Sequence, residues 1–135
     1  MKTYRFRVAW FDCDPAGIVF YPRFLAYMNE AAHGYLEACG YPIALLNDQG
    51  LAGVPMVSIQ VDFRAPMRVG DEGRIESSVA KLGRSSITFV HRILKDEILI
   101  CEATEVRVYA AKEESGAGIR GEEIPAPMRE ALLAG

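Results

Sequence analysis

Five stretches of this chain alternate apolar and polar residues with a period of two, and one long stretch repeats its apolar residues every three or four. A period of two sends successive side chains to opposite faces of a strand, whereas a period near 3.6 gathers them into one helical stripe. The helical stretch covers residues 22–39, where Phe24, Tyr27, Met28, Ala31, Tyr35 and Ala38 form a single apolar face. Pro22 suits the first helical turn, and Gly40 suits the stop. The middle of this helix holds alanines and few strong charges, which fits a helix packed into a concave sheet. Its polar residues Asn29, Glu30 and His33 therefore stand out.

The alternating stretches are residues 3–11, 57–64, 73–82, 86–94 and 99–109. In the first, Tyr4, Phe6, Val8 and Trp10 fall on one face. Residues 42–48 suit a short second helix, 50–55 a loop, 112–123 a polar, glycine-rich mobile connection, and 125–133 a short helical tail. Lys95, Asp96 and Glu97 form a turn between the last two long strands. The connections are too short for parallel crossovers, so the sheet is expected to be antiparallel and the class α+β. One helix cannot cover both faces of such a sheet, and a partner subunit is expected.

At 135 residues and 14.9 kDa the chain has the length of one domain, spanning 1–135, that can bury its core without disulfides or a structural metal. No apolar run is long enough to cross a bilayer, and the N-terminus lacks the pattern of a secretory signal. A cytoplasmic location is the expectation. Cys13, Cys39 and Cys101 are odd in number and irregularly spaced, which argues against a disulfide framework. His33 and His91 have no ligand-like spacing to a cysteine or to each other, so no metal site is expected. A net charge of -3 disfavours a nucleic-acid surface, while leaving room for a local group of arginines to hold a small anion.

The stretch with chemical potential is Asp12-Cys13-Asp14-Pro15-Ala16-Gly17-Ile18-Val19-Phe20-Tyr21-Pro22-Arg23-Phe24. It is a carboxylate-bearing loop that runs straight into the long helix. The unpaired amides and dipole of a helix start favour developing negative charge, as an oxyanion hole requires. A carboxylate just upstream can sit beside an acyl carbonyl aimed at those amides. Gly17 allows close backbone approach to a ligand. The same spacing also serves a solvated turn or a helix cap. A divalent cation between Asp12 and Asp14 is open as well, although two carboxylates make a poor calcium site.

This stretch resembles the signature of the 4-hydroxybenzoyl-CoA thioesterase family: Asp-x-Asp-Pro-Ala-Gly-Ile-Val, an aromatic pair, a proline and the helix. The similarity continues through Gly53-Val54-Pro55-Met56-Val57-Ser58, Leu82-Gly83-Arg84-Ser85-Ser86 and Ile124-Pro125. The resemblance implies a hotdog fold, in which a curved antiparallel sheet of about five strands wraps a long helix. It implies subunits joined edge to edge with active sites at their interface, a homodimer at least and a homotetramer in the fuller assembly. The implied reaction is hydrolysis of an aromatic or short acyl-CoA to free acid and CoA, without a cofactor. Asp14 matches the catalytic carboxylate, as nucleophile or general base, and Tyr21 the position whose backbone N–H polarises the substrate carbonyl. Asp12 is expected to orient the loop.

Arg84, Ser85 and Ser86 lie where the family meets the coenzyme, and arginine suits its phosphates. An exposed hairpin arginine is the plain alternative. Glu30, His33 and Ser58 are expected to line the acyl pocket across the subunit interface, with a merely structural His33 as the alternative. Two other functions compete with hydrolysis. One is a non-catalytic acyl-CoA-binding hotdog module, against which the acid at Asp14 speaks. The other is a hotdog dehydratase, whose histidine-plus-acid site cannot be placed in this chain.

Overall fold

The computed structural model describes residues 1–116 and 118–135. In chain order the elements are β1 (Lys2–Arg7), a 3-10 turn (Trp10–Asp12), α1 (Pro22–Ala38), α2 (Ile43–Asp48), β2 (Leu51–Gly53) and β3 (Met56–Phe63). They continue with β4 (Glu72–Leu82), β5 (Ser86–Lys95), β6 (Ile98–Val108), β7 (Ala110–Lys112), β8 (Ile119–Gly121) and α3 (Ala126–Ala134). Five strands form one antiparallel sheet in the order β1-β4-β5-β6-β3, and β2-β7-β8 form a second, small one. The α+β class and the antiparallel pairing agree with the period-two pattern. The two-residue turn between β5 and β6 places Asp96 at φ 52°, a left-handed conformation that aspartate tolerates better than most residues.

The apolar stripe of α1 lies across two clusters of buried side chains. Phe24, Tyr27, Met28 and Ala31 join one with Met67, Ile75, Ile93 and Ile100. Ala32, Tyr35 and Leu36 join the other with Leu46, Phe89, Met128 and Ile124. Side chains as large as Met28 and Phe89 are wholly buried, and each such burial contributes about 1.5–3 kcal/mol. The hotdog arrangement follows: the five-stranded sheet curves around a helix that meets it mainly through apolar side chains. Among the described residues no helix is long and apolar enough to cross a membrane.

Three sequence expectations are corrected. The strand expected over residues 3–11 ends at Arg7, where pairing with β4 ends. Beyond it Asp12 accepts a hydrogen bond from Ala9 N–H at 3.0 Å, which turns the chain into the 3-10 helix and throws Trp10 outward. Trp10 is accordingly 82 % exposed rather than part of the inner face. The loop expected over 50–55 contains β2, which pairs with β7. The connection expected over 112–123 begins in β7 and contains β8, because backbone pairing of Ala110, Ala111 and Lys112 with Gly121, Arg120 and Ile119 needs no apolar pattern to form. Ala117, within that stretch, lies outside the described residues.

Candidate active site

The loop after β1 is shaped by its own turn chemistry. Gly17 N–H donates to Asp14 O at 2.9 Å, closing a turn with Pro15 at its second position and Gly17, at φ 81°, at its fourth. Proline presets the backbone at the second position, and the positive φ beyond it favours glycine. Asp14 N–H donates to Ile18 O at 3.0 Å, and Cys13 bridges Val19, so the loop folds back on itself as a narrow hairpin. Val19 N–H then donates to Met67 O and Phe20 N–H to Asp12 O, fixing the return path to the foot of α1.

The half-buried Asp14 is oriented by this turn. Its Oδ1 accepts Ala16 N–H at 2.9 Å, while Oδ2 has no partner among the described residues. It faces an open cleft of about 470 Å³ that it shares with Gly17, Trp10, Phe11 and Val69. One carboxylate oxygen is thus held and the other is free beside an apolar wall, an arrangement suited to attack on, or proton removal beside, a bound acyl group.

Tyr21 stands at the N-cap of α1, followed by Pro22, which has no N–H to contribute. The Tyr21 N–H has no backbone acceptor among the described residues, so the helix entrance offers one free amide at the end of its dipole. The Tyr21 ring does not border the Asp14 cleft. It packs edge-on against Phe20 and Phe63, with centroids 5.4 and 6.3 Å away.

Asp12 does a different job from Asp14. Its buried carboxylate accepts Tyr27 O–H at 2.6 Å and Ala9 N–H at 3.0 Å on Oδ2, and Arg23 Nε and Nη2, both at 2.7 Å, on Oδ1. It thereby ties the 3-10 turn to two successive turns of α1. Arg23 in turn lies over the exposed Phe11 ring at 5.3 Å. Burial pushes the Asp12 carboxyl up, but the bonds from Tyr27, Ala9 and Arg23 together outweigh it and hold it below the usual carboxylate value. The same contact and burial raise the Tyr27 hydroxyl.

Tyr27→Phe is expected to destabilise the fold by about 2 kcal/mol, because it strips a charged, buried oxygen of its shortest partner, and urea unfolding measures this. A carboxylate whose folded pKa is depressed contributes its stability in full above its unfolded value, near 4, and loses it as pH falls through the folded value. The wild-type thermal midpoint should therefore fall below about pH 4, and less steeply in Tyr27→Phe.

The other expected site residues are not gathered around Asp14 within one chain. Glu30 is exposed on α1, and half-buried His33 gives Nδ1–H to Asn29 O at 2.9 Å. Ser58 is exposed on β3, the edge strand of the sheet. Arg84, Ser85 and Ser86 form the β4–β5 hairpin, at the opposite end of β4 from the strand end that pairs with Arg7 and leads to Asp14. The hairpin backbone is committed to structure: Ser85 O accepts Tyr109 N–H at 2.7 Å, and Arg84 O accepts Ile124 N–H at 2.9 Å.

One cluster escaped the sequence reading. Ser77, His91, Glu105 and Arg107 are all buried between the sheet and α1. Ser77 Oγ lies 2.7 Å from His91 Nδ1, and His91 Nε2–H donates to Glu105 Oε1 at 2.9 Å. Arg107 donates to both Glu105 oxygens, at 2.8 and 3.3 Å, to Val54 O at 3.2 Å and to Asn29 Oδ1 at 3.0 Å. Burial pushes the Glu105 carboxyl up, yet His91 and Arg107 hold it below its ordinary value. A signal was available, since Glu105 and Arg107 stand in register with Cys101 and Ala103 on the inward face of β6. Cys101 itself is inert: burial pushes its thiol up to about 12.

Comparison with known proteins agrees with this geometry. The family model described as "Thioesterase-like superfamily" matches residues 8–134. The 4-hydroxybenzoyl-CoA thioesterase of Pseudomonas sp. (strain CBS-3) is 30% identical over 135 residues, 95% of this chain and 94% of that protein. An Asp-to-Asn variant of 4-hydroxybenzoyl CoA thioesterase, solved with 4-hydroxybenzoyl CoA, superposes with a TM-score of 0.89 at 30% identity and covers 97% of each chain. The gentisyl-coenzyme A thioesterase BH1999 superposes with a TM-score of 0.84 at 34% identity, over 97% of this chain and 98% of that one. With a helix wrapped by a five-stranded antiparallel sheet and a match along nearly its whole length, the chain belongs to the thioesterase-like superfamily, as a thioester hydrolase of the hotdog fold.

Proposed function

We propose that this protein hydrolyses the thioester of an aryl-CoA, of the 4-hydroxybenzoyl kind, to the free acid and CoA, with Asp14 as the reacting carboxylate. The observation that carries the reading is the free Oδ2 of Asp14, held by its own turn in a cleft between Trp10, Phe11 and Val69. Exposed aromatic rings suit a flat aromatic acyl group better than a saturated one. The similar proteins that act on 4-hydroxybenzoyl-CoA and gentisyl-CoA support the same class.

In the nucleophilic route Oδ2 bonds to the acyl carbon, the C–S bond breaks, and CoA departs as a thiolate that takes a proton from solvent. Water then cleaves the mixed anhydride and returns the carboxylate. In the general-base route the carboxylate takes a proton from the water that attacks the acyl carbon. The developing oxyanion is stabilised by the Tyr21 N–H at the start of α1 in both routes. Solvent 18O found in Asp14 after a single turnover in labelled water identifies the first route with water attacking the Asp14 carbonyl of the anhydride, because the general-base route never places solvent oxygen in the protein.

The assembly we propose is a homodimer joined along β3, with Glu30, His33 and Ser58 brought to the acyl pocket from the neighbouring subunit. β3 is an unpaired edge carrying exposed Val57 and Phe63, a surface that strands use to pair with another chain. Light scattering should give twice the 14.9 kDa chain mass or a larger multiple, and a catalytically active monomer would end that part of the proposal.

Thiol release from a panel of aromatic and aliphatic CoA esters, followed with a thiol-reactive dye, tests the function. Aryl esters should be cleaved with the highest kcat/KM. Binding of every ester with release from none would instead make the protein an acyl-CoA-binding module.

A further inference from the structure

The aromatic wall of the Asp14 cleft is built from the 3-10 turn. Trp10 and Phe11 are consecutive residues there, so at three residues per turn their side chains leave the backbone about 120° apart, and both border the cleft. Both are also exposed, Phe11 by 75 %. A phenylalanine so exposed has little packing to select one rotamer, and a ring that moves among rotamers makes a poor wall for a ligand.

Phe11 nevertheless has a fixed neighbour. The Arg23 guanidinium lies over its ring, 5.3 Å from the centroid, within the range at which a cation is attracted to an aromatic face. Arg23 is itself held, because Nε and Nη2 both donate to Asp12 Oδ1 at 2.7 Å. Asp12 is 3 % exposed, and Tyr27 O–H and Ala9 N–H pin its other oxygen. The contacts thus run from two turns of α1, through a buried carboxylate and a guanidinium, to a ring at the cleft. All of these links form on folding, so the wall is organised before a ligand arrives. Arg23 does not itself border the cleft, and its contact with a bound acyl group is made through the ring. Trp10 has no cation or ring partner among the described residues, so it adds area to the wall without a fixed face.

Resting on the proposed thioesterase reading, we infer that Phe11 sets the preference for a flat aryl acyl group over a saturated one, and that Arg23 is a positioning residue that holds the Phe11 ring against that group. A planar aryl ring can lie offset or edge-on against Phe11, whereas a puckered saturated ring of similar size cannot.

The test uses the CoA esters of benzoic acid and cyclohexanecarboxylic acid, with Phe11→Leu, Arg23→Met and the double variant. The wild type should favour the benzoyl ester in kcat/KM. Phe11→Leu keeps an apolar side chain, removes the aromatic face and leaves every Asp12 contact in place, so it stands as a test even if Arg23→Met fails to fold. It should reduce the benzoyl preference about five- to tenfold, through KM for the benzoyl ester rather than kcat. Arg23→Met should reduce the preference about two- to fivefold, and the double variant no further than Phe11→Leu alone. A second readout needs no hydrolysis. The S-benzyl and S-cyclohexylmethyl thioethers of CoA can be titrated against the fluorescence of Trp10, the single tryptophan of the chain and a neighbour of the cleft. Phe11→Leu should narrow the gap between their dissociation constants by the same factor.

An unchanged preference in Phe11→Leu would overturn the inference. An equal fall for both esters in Arg23→Met, or a further loss of preference in the double variant, would remove the positioning role and leave Arg23 as a support for Asp12 alone. If the wild type cleaves neither ester but Phe11→Leu still narrows the thioether gap, the wall stands and the hydrolase reading falls. Cleavage of both esters with no narrowing leaves the hydrolase reading in place and discards the wall.

Discussion

Asp14→Asn is expected to slow thiol release from an aryl-CoA ester by about 10²–10⁴-fold, with the fold and the binding of the ester preserved. Asparagine retains the acceptor oxygen that receives Ala16 N–H at 2.9 Å, so the turn closed by Gly17 has no reason to open. What disappears is the negative charge on Oδ2, the oxygen that no other group engages among the described residues. An amide neither attacks a thioester carbon nor takes a proton from water at useful rates. Steady-state kinetics with a dye for free thiol, accompanied by a thermal midpoint, separates a chemical loss from a structural one. A variant with wild-type turnover would remove Asp14 from the reaction.

The second large effect lies away from the cleft. Arg107→Ala is expected to cost about 3–5 kcal/mol, a sizeable part of the ~5–15 kcal/mol that holds an ordinary domain together. Arg107 is 2 % exposed and Glu105 is wholly buried, so removal of the guanidinium leaves a carboxylate facing His91 alone. The same deletion frees Val54 O and Asn29 Oδ1, which detaches the approach to β3 and one turn of α1 from the sheet. The pair Glu105→Gln/Arg107→Met removes both charges together and should lose less than the single alanine change. Denaturant midpoints for the two variants measure this order, and the reverse order would show that the ion pair is not what makes the site fragile.

The fold was legible where burial and periodicity coincide. α1 and the four strands β3 to β6 carry apolar residues on one face over six residues or more, and their boundaries shift by one or two residues at most. β2, β7 and β8 are three residues each, too short to show a period, and arise from backbone pairing that any sequence could supply. Trp10 shows the opposite failure. Its place in the alternation of β1 pointed inward, but the pull of the buried Asp12 on Ala9 N–H ends the strand before the pattern does.

The site was legible in the same measure. The Asp14–Gly17 turn is written in Pro15 and Gly17, and the orienting role expected of Asp12 matches its contacts with Arg23 and Tyr27. The network from Ser77 to Asn29 was not read, because its members lie on β4, β5, β6 and α1 and meet only when the sheet curves over the helix. Glu30, His33 and Ser58 are not gathered around Asp14 within one chain, so the pocket role proposed for them requires the proposed second subunit.

The most direct measurement is a crystal structure of the Asp14→Asn variant holding an intact aryl-CoA thioester. The thioester carbon should face residue 14 and the carbonyl oxygen should accept the Tyr21 N–H at ordinary hydrogen-bond length. An acyl group bound elsewhere, with that amide turned to solvent, would contradict the mechanism at its root.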